Sequence, residues 1–352
     1  MFVIGLGTAA PQNRYFQAEC WEALCASTKL VELTPRSRLL LKKVLLGDNG
    51  IETRHLVLEP LSDAFAITPD AMAERFVRHA PALASEAATR ALDQAQLSAA
   101  DIDGVIISTC TGYLCPGLTS YVSERLGLRS NVRALDLVGQ VCGAAIPNLQ
   151  TAEALLVSGQ CSNVLTVCVE VCSAAFYLDD DPGVLVSACL FGDGAGAAVV
   201  ARQPLPGRRR VEWLAAANAL SPTDRDRLRF EQRGGMLRNI LSKETPLIAG
   251  RFAGQVLAET LERAKVRREV VNGWILHPGG RNILNTLRER LGLSEDDVQW
   301  SAGILREYGN LSSPSVLFVL QAALNGGSPG GYWWMSAFGA GFSSFGAMLK
   351  VD

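Results

Sequence analysis

Histidine is the scarcest chemical resource of this chain: three residues in 352. A zinc site would have to rest almost wholly on cysteine, and cysteine is poorly arranged for it. There are nine, but Cys110/Cys115 and Cys168/Cys172 lack the CxxC spacing of zinc sites. Nine are also too sparse for a disulfide scaffold in a chain this long, and they do not pair by spacing. Reduced thiols in a cytoplasmic protein are the simplest account. Charge of one sign is missing as well. Thirty-three Lys and Arg against 35 Asp and Glu leave a net charge of -2, which offers nothing to a polyanion, so nucleic acid is excluded as a partner. No apolar run reaches the roughly 18 residues of a membrane span, so stable membrane insertion is not expected. The opening MFVIGLGTAAPQNRYF has no basic leader region and meets glycine at its fifth residue. It reads as a first strand, not a signal peptide.

What is present is enough apolar sequence, 48% of residues, for one large core or two ordinary ones. The organising stretch is Arg133–Gly159. An apolar run, Ala134–Val138, leads through Gly139-Gln140-Val141 to a single Cys142. Beyond it Ile146, Leu149, Ala152, Leu155 and Leu156 recur at helical spacing. A strand, a tight turn and a helix are expected, with a thiol at the turn. Unpaired amides at a helix start favour thiolate, so a cysteine there can ionise well below the free value of about 8.5. Equally, a free cysteine is often just a small buried hydrophobe.

The rest of the chain reads as alternating helices and strands. Phe2–Leu6 is a strand, 17–33 and 36–45 are helical, and 50–58 is a loop or short strand carrying Arg54 and His55. Residues 69–83 and 84–98 read as two helices, the second with a small-residue stripe at Ala87, Ala88, Ala91 and Ala95. Ile102–Thr109 and Val164–Val171 read as buried strands, 173–183 as a loop and 189–202 as a glycine-broken strand. QPLPGRRR (203–210) is the linker candidate, its arginines a solvated face, and Asp179-Asp180-Asp181 is a loop rather than a metal site. The charged stretch 221–235 looks mobile.

A weak internal repeat with a period of roughly 170 residues is also present. ASEAATRALDQAQLSAADIDGVIIST resembles GQVLAETLERAKVRREVVNGWILHPGG, and the helix after Cys142 is matched by one starting near Ser313. The later strands match in turn. Two fused copies of one α/β unit are implied, residues 1–205 and 206–352, with ligands expected where helix starts meet at the centre. His277 ends the strand Trp274–Leu276, and Asn310 precedes the second copy of the Cys142 helix. Each alone is weak: a histidine after a strand is often structural, and Gly-Asn is often a turn. His55 and His79 sit in polar or helical surroundings and suggest no role.

Five motifs, GQVCGAA, CLFGDGAGA, LHPGGRNIL, EYGNLSSPSVLF and SAFGAGFS, resemble the type III polyketide synthases, the chalcone and stilbene synthase family, in its bacterial form. They occur in that family's order and span nearly the whole chain. The resemblance implies a thiolase-like αβαβα layered fold made of two similar halves. It implies an acyltransferase that loads an acyl group from acyl-CoA on Cys142, extends it by decarboxylative condensation with malonyl-CoA and cyclises the product to a pyrone, resorcinol or phloroglucinol. His277 and Asn310 match the other catalytic residues, and Phe191 the aromatic between CoA tunnel and reaction cavity. Arg54 falls where the family sets a cation against CoA phosphate. Cys110, Cys172, Ala175 and Ser312 fall at cavity or substrate positions, and the small Ala175 suggests a roomy cavity or acyl tunnel. A second gatekeeping aromatic is expected within GGMLRNILSKETP, but Asn239 stands there. CoA thioesters enter as substrates, with no cofactor, no metal and no obligate acyl carrier protein. Cys115-Pro116 lies in the loop that reaches a second subunit, so a homodimer is implied.

The nearest alternative keeps the fold and changes the donor: a ketoacyl synthase III-like enzyme using malonyl-acyl carrier protein. Its motifs usually read HQAN and GNTSAAS, against HPGG and GNLSSPS here. A non-catalytic thiolase-fold partner would commonly lack the cysteine. A cysteine hydrolase would need a water path and leaves the repeat without a reason.

Overall fold

The computed structural model describes residues 1–352. The first half runs β1 (Phe2–Ala9), β2 (Arg14–Phe16), α1 (Gln17–Ala26), α2 (Lys29–Glu32), α3 (Pro35–Leu46), β3 (Thr53–His55) and α4 (Pro69–Ala95). It continues with β4 (Gly104–Ser108), α5 (Leu118–Leu126), β5 (Arg133–Leu137), α6 (Ala145–Val157), β6 (Asn163–Glu170), α7 (Pro182–Leu190) and β7 (Gly194–Ala201). The second half holds β8 (Val211–Leu220), β9 (Leu228–Arg233), β10 (Met236–Leu241), α8 (Thr245–Ala264) and β11 (Val271–Leu276). After these come α9 (Arg281–Leu291), α10 (Gln299–Tyr308), α11 (Ser315–Asn325), β12 (Gly331–Gly339) and β13 (Ser343–Val351).

The repeat is written in the strand order. In the first half β4-β6-β7-β1 pair parallel, antiparallel, antiparallel; in the second β11-β12-β13-β8 do the same. The two sets touch through one residue pair, Phe2 with Glu212, so the nine strands form two sheets hinged at β1/β8. Between them lie α6 and α11, whose Ile146, Leu149, Val316 and Val319 share one core with inward residues of both sheets. The outer face of the first sheet is covered by α4 and α5, that of the second by α8 and α9. Helix, sheet, helix, sheet, helix is the thiolase-like layering. Of the two central helices α11 is apolar over nearly all its length, as sheets on both sides require, while α6 keeps Gln150, Thr151 and Glu153 on a less buried face.

Four local expectations are corrected. The two helices of 69–98 are one, continuous through Pro81. The lost hydrogen bond is offset by the buried stripe Ala80, Ala84, Ala87, Ala88, Ala91 and Ala95. This stripe lies so close to β1 that a Cβ at Gly7 would stand 2.1 Å from the Ala87 carbonyl oxygen. The end of the 173–183 loop and the start of the next strand form α7. There Asp181 accepts from the amides of Gly183 and Val184 and Pro182 occupies the first turn, an N-terminal signature. The mobile-looking 221–235 is a short 3-10 turn followed by β9, which pairs with β10 across Gly234-Gly235, both at positive φ. The linker is pinned too: Arg209 donates to the carbonyls of Asp352, Leu324 and Ser328 and lies over Trp333. No helix is long and apolar enough to cross a membrane.

Candidate active site

The turn after β5 carries the thiol. Gly139 and Val141 both have positive φ, 88° and 49°. The second is a strained value for a β-branched residue, and such strain persists only where the surroundings impose it. Here β12 imposes it: a Cβ on Gly339 would stand 1.9 Å from the Gln140 carbonyl oxygen, so the second half presses directly on the turn. Cys142 is thereby buried at the start of α6, one 3-10 turn ahead of it.

The second half supplies the matching turn. Asn310 ties the halves together as a parallel bridge to Phe191, with Gly192 N–H donating to its carbonyl (3.0 Å) and its own N–H to the Leu190 carbonyl (2.9 Å). The Asn310 side-chain oxygen accepts from Ser312 N–H (2.8 Å), while Nδ2 donates to the Gly279 carbonyl (3.2 Å). One amide hydrogen is left over. Ser312, at φ 60°, is the counterpart of the Cys142 turn 170 residues on, and the two side chains meet, Sγ···Oγ 3.3 Å. The symmetry axis of the repeat passes through the site.

His277 follows β11 and continues its ladder through its N–H to the Ser336 carbonyl (2.9 Å). Phe338 stands edge-on to the imidazole with centroids 5.1 Å apart. Both ring nitrogens are buried with no partner. Unsatisfied buried groups of this kind point to a missing substrate. Cys142, His277, Asn310, Phe191 and Phe338 line one cavity of about 660 Å³. Its outer wall includes the exposed Lys43 and Lys243, which make that part of the mouth cationic, while Arg281 beside them is paired with Asp48.

Burial acts against charge on either reacting group. It pushes the Cys142 thiol up to about 12, an effect the Ser312 hydrogen bond only partly opposes, and lowers His277 to about 3. The depressed thiol expected from the helix start is therefore not what the site gives a lone cysteine: desolvation outweighs the helix amides. A proton moved from sulfur to imidazole would leave two opposite charges sharing one dry cavity, and such a pair titrates as a unit.

Behind Cys142 lies a narrow recess of about 10 Å³, bounded by Cys172, Ala175, Ser312, Phe176, Phe191, Phe230 and Asn239. Cys110 joins it through Ser312 (Sγ···Oγ 3.6 Å). The structure thus gathers Cys142, His277, Asn310, Phe191, Cys110, Cys172, Ala175 and Ser312 at one centre. It does not bring Arg54 there. That guanidinium is buried behind the site and donates to the carbonyls of Ala188 and Phe191 (2.8 and 3.1 Å), where no phosphate can reach. Beside Ala175, where a roomy cavity or acyl tunnel was expected, the structure has this narrow recess with Phe230 on its wall.

Phe230, Phe338 and Glu170 are the residues sequence reasoning missed. Phe230 hid in the charged stretch, although alternation about a Gly-Gly pair was a hairpin signal. Glu170 is fully buried and accepts from Cys110 N–H, Thr111 Oγ1 and Ser313 Oγ (3.0, 2.9 and 2.5 Å), a network that fixes the recess floor while burial pushes its carboxyl up. No group of three or more His, Cys, Asp or Glu is placed to hold a metal ion.

Two family models match the chain: the N-terminal domain of chalcone and stilbene synthases over residues 1–204 and the C-terminal domain over 228–332. The chain is 30% identical over 354 residues to the 1,3,6,8-tetrahydroxynaphthalene synthase of Streptomyces peucetius subsp. caesius, covering 99% of this chain and 92% of that one. It is 27% identical over 350 residues to the 3,5-dihydroxyphenylacetyl-CoA synthase of Streptomyces toyocaensis, covering 96% and 87%. Among solved structures, the 1,3,6,8-tetrahydroxynaphthalene synthase of Streptomyces coelicolor A3(2), a bacterial type III polyketide synthase, superposes with a TM-score of 0.89. It shares 25% identity, with 99% of both chains covered. PKS-I of the brown alga Ectocarpus siliculosus gives 0.89 at 25% identity, covering 99% and 98%.

Proposed function

The chain belongs to the chalcone and stilbene synthase family and is a type III polyketide synthase, and we propose that Cys142, His277 and Asn310 carry its chemistry. The observation behind this reading is that a thiol, an imidazole with both nitrogens unpartnered and an amide with a spare hydrogen line one cavity.

In the loading step the Cys142 sulfur attacks the acyl-CoA carbonyl, the new S–C bond replacing that of CoA. His277 takes the thiol proton and returns it to the departing CoA thiolate. Malonyl-CoA then loses CO2, and the electron pair of the broken C–C bond becomes a thioester enolate. Its oxyanion accepts from His277 Nε2–H and from the second Asn310 amide hydrogen, donors that stabilise charge without surrendering a proton. The enolate carbon attacks the Cys142 thioester, sulfur leaves, and the chain, two carbons longer, is carried by CoA until it reloads. The edge-on Phe338 and the dry walls keep water from the enolate.

At the mouth Lys43 and Lys243 take the CoA phosphates, the role the resemblance implied for Arg54. The donor is malonyl-CoA rather than a carrier-protein thioester. The narrow recess suits a small starter, and the product is a polyhydroxylated aromatic of the kind the relatives' names describe. No resident cofactor is required. A homodimer is supported by the edge strand β5, which leaves Leu135 and the adjacent Val138 38% and 67% exposed, and by Tyr113 at 81% in the neighbouring loop.

The test is product mass after incubation with malonyl-CoA and a panel of acyl-CoA starters, beside the Cys142→Ala variant and a malonyl-carrier-protein arm. Polyketides from malonyl-CoA, absent in the variant, support the reading. A single condensation that needs the carrier protein would transfer the case to the ketoacyl synthase alternative.

A further inference from the structure

The hairpin β9–β10 pairs with neither sheet, and a free two-stranded hairpin is marginal in water. Its two faces are chemically distinct because side chains alternate. On the inner face the cross-strand pair Phe230 and Asn239 closes the recess behind Cys142. The Asn239 side-chain oxygen is buried there with no hydrogen-bond partner, an acceptor without a donor. On the outer face the next pair is Glu231 and Arg238. Arg238, its side chain only 8% exposed, bonds to Asp179 (Nε···Oδ2 2.7 Å) and Glu231 (Nη1···Oε1 2.7 Å) and reaches Asp181 at 3.4 Å. Asp181 caps the start of α7, and the same helix ends on Phe191. One guanidinium thus references both aromatic walls of the recess to a single anchor, and it gives the Asp179–Asp181 run its purpose.

We propose that Arg238 is a positioning residue: by tying the hairpin to Asp179 and Asp181 it sets where the inner face, Phe230 and Asn239, stands against the growing polyketide. Phe230 limits the space beyond Cys142, and the orphaned Asn239 oxygen accepts from an enol O–H of the poly-β-keto chain, which selects the fold of the chain before ring closure. The proposal rests on the polyketide synthase reading.

The experiment compares wild type, Arg238→Met, Arg238→Lys, Asp179→Asn and Asn239→Leu by hydrogen exchange, kinetics and product ratio with malonyl-CoA. Loss of charge-assisted bonds should raise exchange at residues 228–241 by about 10- to 100-fold in Arg238→Met. The KM for malonyl-CoA should change less than the product ratio, since Lys43 on α3 lies outside the hairpin. The principal product's share should fall at least about threefold in favour of derailed chains, with Arg238→Lys restoring part of it. Asn239→Leu should shift products without faster exchange, and Asp179→Asn repeats the test if Arg238→Met fails to fold. A hairpin that loosens or melts earlier with unchanged product ratios would overturn the proposal, as would wild-type products from Asn239→Leu. A wild type that makes no polyketide would overturn the enzymatic reading itself, which the wild-type arm alone reveals.

Discussion

Replacing His277 by alanine isolates what burial alone does to Cys142. With no imidazole to take its proton, the thiol stays at the value set by desolvation, about 12. At pH 7 the thiolate fraction is then about 10⁻⁵, against about 3 × 10⁻² for a free cysteine near 8.5. Alkylation of Cys142 by iodoacetamide should therefore run about a thousandfold slower than that of a free thiol. It should climb about tenfold per pH unit from 7 to 10, because the midpoint lies beyond that window. In wild type, proton transfer to His277 should make Cys142 more reactive at pH 7 than in H277A and flatten the profile. The rate must be read from the Cys142 peptide by mass spectrometry, since Cys25 and Cys115 are exposed and will react first. An H277A protein whose Cys142 alkylates like free cysteine, with a midpoint near 8.5, would show that the cavity is wet and that the desolvation reasoning fails.

The mirror experiment removes the thiol. In Cys142→Ala, His277 is held near 3 by burial against an ordinary 6.5, so the unfolded chain binds the proton first as pH falls. Its contribution is fully present above about 6.5 and is lost on acidification. Urea unfolding should show about 2 kcal/mol less stability at pH 5 than at pH 6.5 from this residue, a loss absent in the Cys142→Ala/His277→Ala double variant. Ser312→Ala removes the hydrogen bond to Cys142 Sγ and should slow acyl loading by about 3- to 10-fold while leaving the melting temperature nearly unchanged, as single-turnover thioester formation would report. A loading rate equal to wild type would assign Ser312 to packing alone.

The two similar halves were legible because their period survives in sequence: buried strands such as Val164–Val171 read as continuous apolar runs, and the 170-residue spacing that pairs Cys142 with Ser312 recurs as a side-chain contact, whereas the layering was implied only by the family resemblance. Glycine and broken periodicity put Cys142, His277 and Asn310 at strand ends and helix starts, but each was weak alone and only the family resemblance joined them into one site. What failed was what depends on the partner surface. Arg54 looks like any exposed cation until β3 is seen buried against the end of α7. Phe230 sits among Arg229, Glu231 and Arg233, and only pairing with β10 decides that its face turns inward. Residues 69–83 and 84–98 read as two helices because the alanine stripe that sustains one continuous α4 works through contact with β1, 80 residues away in sequence.

The most direct measurement is peptide-resolved mass spectrometry of enzyme quenched during turnover with a starter acyl-CoA and malonyl-CoA. A ladder of thioester adducts should appear on Cys142, each heavier than the last by one C2H2O unit, with Cys110 and Cys172 unmodified. Adducts that stop at the starter, or that sit on another cysteine, would contradict an iterative synthase built on this thiol.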